Sequence, residues 1–107
     1  MKLIIAIVNH DDAGAVTQNL TKNGFSSTRL STTGGFLLAG NVTLLIGVEE
    51  EKVQQVIDLI HRYSHSRRQM VPALTEMSYG FMPVMPVEVT VGGATVFVVD
   101  VERFERL

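Results

Sequence analysis

Short β-prone runs alternate with amphipathic helical stretches, and this order constrains the fold more than any other feature of the sequence. Leu3–Val8 is a continuous apolar run rich in β-branched residues, which is typical of a strand buried on both faces. Asn9–Asp12 supplies N-cap candidates for a helix over Ala13–Lys22, where apolar residues recur at helical spacing. A second amphipathic helix begins at the acidic residue Glu49 and ends near Tyr63. This order predicts helices that pack against a sheet.

Four further runs have strand character and pair around two glycine turns. They are Phe25–Thr33 with Phe36–Val48 around Gly34–Gly35, and Val87–Val91 with Ala94–Val101 around Gly92–Gly93. The complete order is β-α-β-β-α-(β)-β, which is the ferredoxin-like split βαβ pattern. We therefore predict an α+β fold, a ferredoxin-like βαββαβ sandwich in which two helices cover one face of an antiparallel sheet.

The balance of apolar and charged residues indicates that the folded chain has a partner surface. The 107 residues suit a single domain, 46% of them are hydrophobic and 19% are charged. A charged fraction of about 25% is usual in soluble domains. Monomers rarely leave large apolar patches exposed, and two helices cover only one face of a sheet. We therefore expect the chain to form a homo-oligomer.

The net charge, the cysteine content and the length of the first apolar run argue against several functional classes. The net charge is −2 and no long basic run occurs, which argues against a nucleic-acid partner. The chain has no cysteine, which excludes disulfides and thiolate chemistry. The first apolar run is too short for a signal peptide or a membrane span. We expect a cytoplasmic protein without membrane insertion.

The titratable residues do not form a recognisable catalytic or metal-binding motif. No Gly-x-Ser-x-Gly motif and no pair of carboxylates in apolar surroundings is present. Asp100 lies within an apolar strand and is interpreted as an outward-facing residue rather than a perturbed acid. His61 and His65 stand four residues apart, but no third ligand is near them in sequence. We expect neither catalysis, nor a metal, nor a cofactor.

Two segments carry the functional expectations. Residues 64–86 lack clear periodicity and contain all three prolines and four of the five methionines. They predict a long flexible loop that covers a ligand or contacts a protein partner. In Thr32–Asn41, the pair Gly34–Gly35 can expose backbone N–H groups to an anion, and Phe36 offers a ring for stacking. On pattern alone, this second segment is equally an ordinary β-hairpin or a site for a phosphate-bearing base.

Several motifs resemble the PII-like cyclic di-AMP receptor proteins. They are Met1–Val8, Thr32–Leu37, Ala39–Asn41, Pro86–Val89 and Val91–Val98. The resemblance spans nearly the whole chain and implies a homotrimer of ferredoxin-like subunits. It also implies a signalling role, with one cyclic di-AMP in each cleft between neighbouring subunits and with the long loop responding to the ligand. The ligand-binding residues carried over from the family are Thr28, Gly35, Phe36, Leu37, Asn41, Gly47 and Phe97.

Within that resemblance, Phe36 and Phe97 would flank an adenine, and Thr28 and Asn41 would hold the ligand through their side chains. The chain departs from the family at Ser26, where members have arginine, and at Arg106, where they have glutamine. Ser26 and Arg106 are therefore further candidate ligand residues. Two alternatives stay open, namely a PII-like sensor of another adenine nucleotide and a ligand-free oligomeric adaptor that acts through the long loop.

Overall fold

A computed structural model of the chain describes residues 1–30, 40–72 and 86–107. The elements are β1 (Lys2–Asn9), α1 (His10–Lys22), β2 (Thr28–Leu30), β3 (Asn41–Val48), α2 (Val53–Ser64), β4 (Arg67–Pro72), β5 (Pro86–Val91) and β6 (Ala94–Asp100). A turn of 3₁₀ helix over Glu50–Lys52 precedes α2. Helix α1 begins three residues earlier than predicted because the Asn9 side chain caps it and accepts a hydrogen bond from the Asp11 N–H at 2.9 Å.

β1 lies at the centre of a four-stranded sheet whose order is β2-β3-β1-β6. It pairs antiparallel with β3 on one side and with β6 on the other, so that Ile5 faces both Leu45 and Phe97. β2 is antiparallel to β3 and therefore runs parallel to β1, with β3 inserted between them. This split βαβ arrangement confirms the α+β prediction and is compatible with a ferredoxin-like fold.

The core lies between the sheet and the two helices. Alternate residues of β1 are completely buried there, namely Ile4, Ala6 and Val8. Helix residues at 3.6-residue spacing pack onto the same side of the sheet and are also buried; they are Ala13, Val16 and Leu20 of α1, and Val56 and Ile60 of α2. Burial of each of the Val, Leu and Ile side chains among them stabilises the fold by roughly 1.5–3 kcal/mol.

The prediction that β1 is buried on both faces is wrong for the single chain. Leu3, Ile5 and Ile7 point away from the helices and stay partly exposed, while their neighbours in sequence are buried. The reason is that both helices pack on the same face of the sheet. The apolar run that resembled a doubly buried strand therefore leaves one apolar face without cover from its own chain.

The prediction of a second hairpin between residues 87–91 and 94–101 is also wrong. β5 pairs antiparallel with β4, in register from Arg67 opposite Val91 to Pro72 opposite Pro86. β6 pairs instead with β1. Residues 67–72, which lay within the predicted loop 64–86, are thus a strand. Gly92 and Gly93 have φ of 80° and 85°, so they redirect the chain from one sheet to the other rather than close a hairpin.

Asp100 is an exposed strand-end residue, as the sequence indicated. It faces Lys2 across the β1–β6 ladder, and the two side chains form an ion pair. The hydrogen bond from Lys2 holds the pKa of Asp100 below its ordinary value of 3.8, and Asp100 in turn raises the pKa of Lys2 above 10.5. The ion pair thus links β1 to the neighbouring strand β6.

Replacing Asp100 by asparagine should make the free energy of unfolding depend less on pH, both in the acidic and in the alkaline range. The lowered pKa of Asp100 contributes stability that is present above pH 3.8 and is lost as pH falls through the folded-state pKa. The raised pKa of Lys2 contributes stability that is complete below pH 10.5 and is lost as pH rises through its folded-state pKa. Urea unfolding across the pH range measures this, with Glu102→Gln as an exposed-carboxylate control. Identical pH profiles for D100N and the wild type would contradict the assignment.

Candidate ligand-binding site

The helix-free face of the sheet carries every described residue that the family resemblance assigned to ligand binding. Side chains directly opposite one another share a face. One row across the sheet is Thr28, Leu45, Ile5 and Phe97, and the next is Gly47, Leu3 and Val99. Asn41 shares this face because it has the same parity along β3 as Leu45 and Gly47. We call this surface the open face.

The end of α1 positions the polar residues at one edge of the open face. Gly24, with φ of 84°, donates from its N–H to the Thr21 carbonyl at 3.0 Å, and the Phe25 N–H donates to the Leu20 carbonyl at 2.9 Å. This is a Schellman motif, and it stops the helix at a glycine. The motif turns Phe25 onto the core and leaves Ser26 exposed at the start of the segment that leads into β2.

A pocket of about 390 Å³ lies at this edge. It is lined by Met1, Gly24, Phe25, Ser26, Thr28, Leu45, Gly47, Phe104 and Arg106. The structure thus brings together four of the predicted or candidate ligand residues, Ser26, Thr28, Gly47 and Arg106. The volume lies within the range of roughly 300–1,000 Å³ that is usual for small-molecule sites.

The C-terminal segment forms one wall of the pocket. After β6, the Val101 N–H donates to the Met1 carbonyl at 3.1 Å, which holds the segment beside the start of β1. Phe104 and Arg106 then reach the pocket, and Phe104 remains 58% exposed. Among the described residues that line the pocket, Arg106 has the one charged side chain, and none is a carboxylate. Such a pocket suits an anionic ligand that carries an aromatic ring.

Gly47 keeps part of the pocket open. A Cβ built at this position would meet no heavy atom within 4 Å, and the backbone there has no positive φ. The absence of a side chain is therefore not required by packing or by backbone conformation. What it provides is empty space beside Leu45 and Thr28 at the edge of the open face.

The other predicted ligand residues lie elsewhere. Asn41 is six residues from Gly47 along β3, a separation of roughly 20 Å. Phe97 is 53% exposed on the open face, two strands away from Leu45. Gly35, Phe36 and Leu37 lie outside the described residues. One chain therefore does not gather its described candidate residues at a single point.

Sequence reasoning missed Phe104, Phe25 and Leu45 as pocket residues. Leu45 and Phe25 were placed in strands, and the alternation along β3 could have assigned Leu45 to the same face as Gly47. Phe104 follows the last strand in a short segment without periodicity. Nothing local in the sequence reveals that this segment folds back to β1.

The histidines and carboxylates of the described part of the chain do not assemble a metal centre. In residues 1–30, 40–72 and 86–107, no three of them are placed to hold a metal ion. His65 lies past the end of α2 as its C-cap residue. Within the same ranges, no helix combines the length and the apolar character needed to span a bilayer.

Comparison with known proteins agrees with this picture. A sequence model of the cyclic-di-AMP receptor family matches residues 1–107, the whole chain. The chain is also similar to the crystal structure of a functionally unknown protein from Pediococcus pentosaceus ATCC 25745. The two share 42% sequence identity over 99% of this chain and 96% of that one, with a TM-score of 0.75. The family resemblance drawn from the sequence motifs is thereby confirmed, and this chain belongs to the cyclic-di-AMP receptor family.

Proposed function

We propose that this protein is a cyclic di-AMP-binding signalling receptor that carries out no catalytic step. The observation that carries the proposal is the pocket where Ser26, Thr28, Gly47 and Arg106 meet, in a chain whose full length matches a receptor family for this ligand. Cyclic di-AMP combines two adenine rings with two anionic phosphodiesters. The pocket offers a guanidinium for a phosphate, two hydroxyls for hydrogen bonds and a Phe104 ring for an adenine.

The ligand lies between neighbouring copies of the chain in this proposal. Asn41, Gly47 and Phe97 all share the open face, yet roughly 20 Å separates Asn41 from Gly47 within one chain. A second copy on the same face brings its own Asn41 end towards the Gly47 end of the first. The apolar open-face residues Leu3, Ile5, Ile7, Leu45, Phe97 and Val99 are the surface that such copies would cover. The apolar open face supports assembly, the family resemblance implies three copies, and we propose a PII-like homotrimer from the two together.

Gly35, Phe36 and Leu37 complete the proposed site through the family resemblance. The readout in this proposal is a rearrangement of residues 64–86, of which residues 73–85 lie outside the described part of the chain, and the same segment would contact a protein partner. A competing ligand of the same class is another adenine nucleotide, which the combination of Ser26 and Arg106 in one pocket motivates. Titration with cyclic di-AMP and with ATP in parallel distinguishes the two.

Replacing Gly47 by valine should abolish cyclic di-AMP binding without loss of stability. The new side chain has open space around it in the free protein, and β-branched residues favour strands, so the free energy of unfolding should stay equal or rise by up to about 1 kcal/mol. The same side chain occupies the pocket. Isothermal titration calorimetry measures the affinity, and light scattering checks that the oligomeric mass is unchanged.

The matched control for G47V is Gly14→Ala on α1. A Cβ added at Gly14 would also meet open space, and this residue lies outside the pocket. G14A should raise helix stability by up to about 1 kcal/mol and leave the affinity unchanged. Wild-type affinity in a folded G47V variant would exclude this pocket as the ligand site, and no heat with the wild type at micromolar cyclic di-AMP would exclude the function.

Arg106→Met should weaken cyclic di-AMP binding by about tenfold or more, because a charge-assisted hydrogen bond to phosphate is lost. Arg103→Met is the matched control. Arg103 lies in the same segment but pairs with Glu105 at 3.1 Å and does not line the pocket. Calorimetry at two salt concentrations measures both variants. Equal affinities for R106M and R103M would contradict a role for Arg106.

Val99→Asp should convert the assembly to monomers. Val99 is 42% exposed on the open face of a single chain, and a buried, unpaired carboxylate at an interface is strongly unfavourable. Gln18→Asp, on the exposed side of α1, adds the same charge outside that face and should leave the mass unchanged. Size-exclusion chromatography with light scattering gives the mass. A wild-type mass of one chain would contradict the trimer, and a trimeric V99D would move the interface away from the open face.

A further inference from the structure

The hairpin β4–β5 is not part of the main sheet, and many of its described side chains are exposed. It forms a separate two-stranded sheet, and Arg68, Gln69, Met70, Glu88 and Thr90 are all exposed. Isolated two-stranded hairpins are marginally stable in water. The ion pair between Arg68 and Glu88, at 3.5 Å, lies on the exposed side and joins only the two strands of the hairpin to each other. Contacts between the hairpin and the rest of the chain therefore matter for how the hairpin is placed.

Among the described residues, one such contact is an ion pair between Arg67 and Asp12 at the base of the hairpin. Arg67, the first residue of β4, donates from Nη2 to Asp12 Oδ1 at 2.9 Å and from Nη1 to Asp12 Oδ2 at 3.3 Å. Asp12 is only 6% exposed and lies in the first turn of α1, where the helix dipole favours a carboxylate. The planar fork of the guanidinium matches both carboxylate oxygens, so the pair fixes orientation as well as distance.

Gly92, which directly follows β5, leaves room for this ion pair. A Cβ at Gly92 would lie 2.5 Å from Arg67 Nη1 and 2.8 Å from the His65 carbonyl oxygen, which also accepts from Nη1 at 3.3 Å. Glycine is thus required here both by its φ of 80° and by the guanidinium beside it. The neighbouring Gly93 N–H donates to the Ser64 carbonyl at the end of α2.

We propose that the Asp12–Arg67 pair is a latch that docks the hairpin β4–β5 on the first turn of α1, with Gly92–Gly93 as the hinge on the β5 side. While the latch is closed, the two strands of the hairpin are held in one direction relative to the main sheet. When it opens, the described contacts that remain at the base of the hairpin are its two chain connections and the hydrogen bond from the Gly93 N–H to the Ser64 carbonyl. This device is independent of which ligand the protein binds, and Arg67 and Asp12 act in it as positioning residues.

Amide hydrogen exchange of the full-length protein without ligand tests the latch. Asp12→Asn and Arg67→Gln should each speed exchange in β4 and β5 by about tenfold or more, since each leaves a charged partner unsatisfied. Exchange in β1 and β3 should stay at the wild-type rate. Arg68→Gln is the matched control, because it removes the same functional group one residue along but only from the exposed pair. It should change exchange by less than about twofold.

Two further variants test the same ion pair without removing the Asp12 carboxylate, in case D12N folds poorly. Arg67→Lys keeps the charge but loses the fork, and Gly92→Ala displaces the guanidinium; both should speed exchange in the hairpin selectively. The double variant D12N/R67Q should be no faster than the faster single variant. The latch is overturned if R67Q and R68Q exchange alike, or if β1 and β3 accelerate as much as the hairpin.

Discussion

The pairing of β1 with both β3 and β6 is the constraint on which the rest of the structure depends. As the central strand it has partners along both edges, so its backbone groups are satisfied without solvent. Its side chains then divide by parity. Ile4 and its even-numbered neighbours are buried beneath the helices, and Ile5 and its odd-numbered neighbours form the open face. One register therefore assigns both the core and the functional surface.

This division explains why binding and assembly share a surface in the proposed function. A slip of one residue in the β1–β3 register would exchange the two faces, placing Gly47 in the core and Ile46 outside. The burial of Ile46 and Leu44 beneath the helices opposes such a slip. The hydrophobic core thus acts on the pocket indirectly, by keeping Gly47 and Thr28 on the face that the helices leave open.

The sequence alone predicted the two helices and an α+β fold with an antiparallel sheet, because these follow from local periodicity, helix caps and the order of the elements. It failed at Gly92–Gly93, since two glycines with positive φ serve equally in a hairpin turn and in a crossing between sheets. The choice depends on β4 and β6, which are distant partners. The pocket was predictable at Thr28 and Gly47 only through family resemblance. Phe104 was not, because a contact between residue 104 and the start of β1 leaves no local pattern.

The pocket and the latch lie at opposite ends of β1, and this separation limits how they can be coupled. Leu3, opposite Gly47, marks the pocket end, while Asn9 leads directly into the turn of α1 that holds Asp12. Asn41, opposite Asn9, is the one described candidate ligand residue at the latch end. Its neighbour Gly40 accepts a hydrogen bond from the His10 N–H. Within one chain, a bonded route leads from Asn41 through Gly40 and His10 to the first turn of α1, which holds Asp12, whereas the pocket that holds Arg106 lies at the other end of β1.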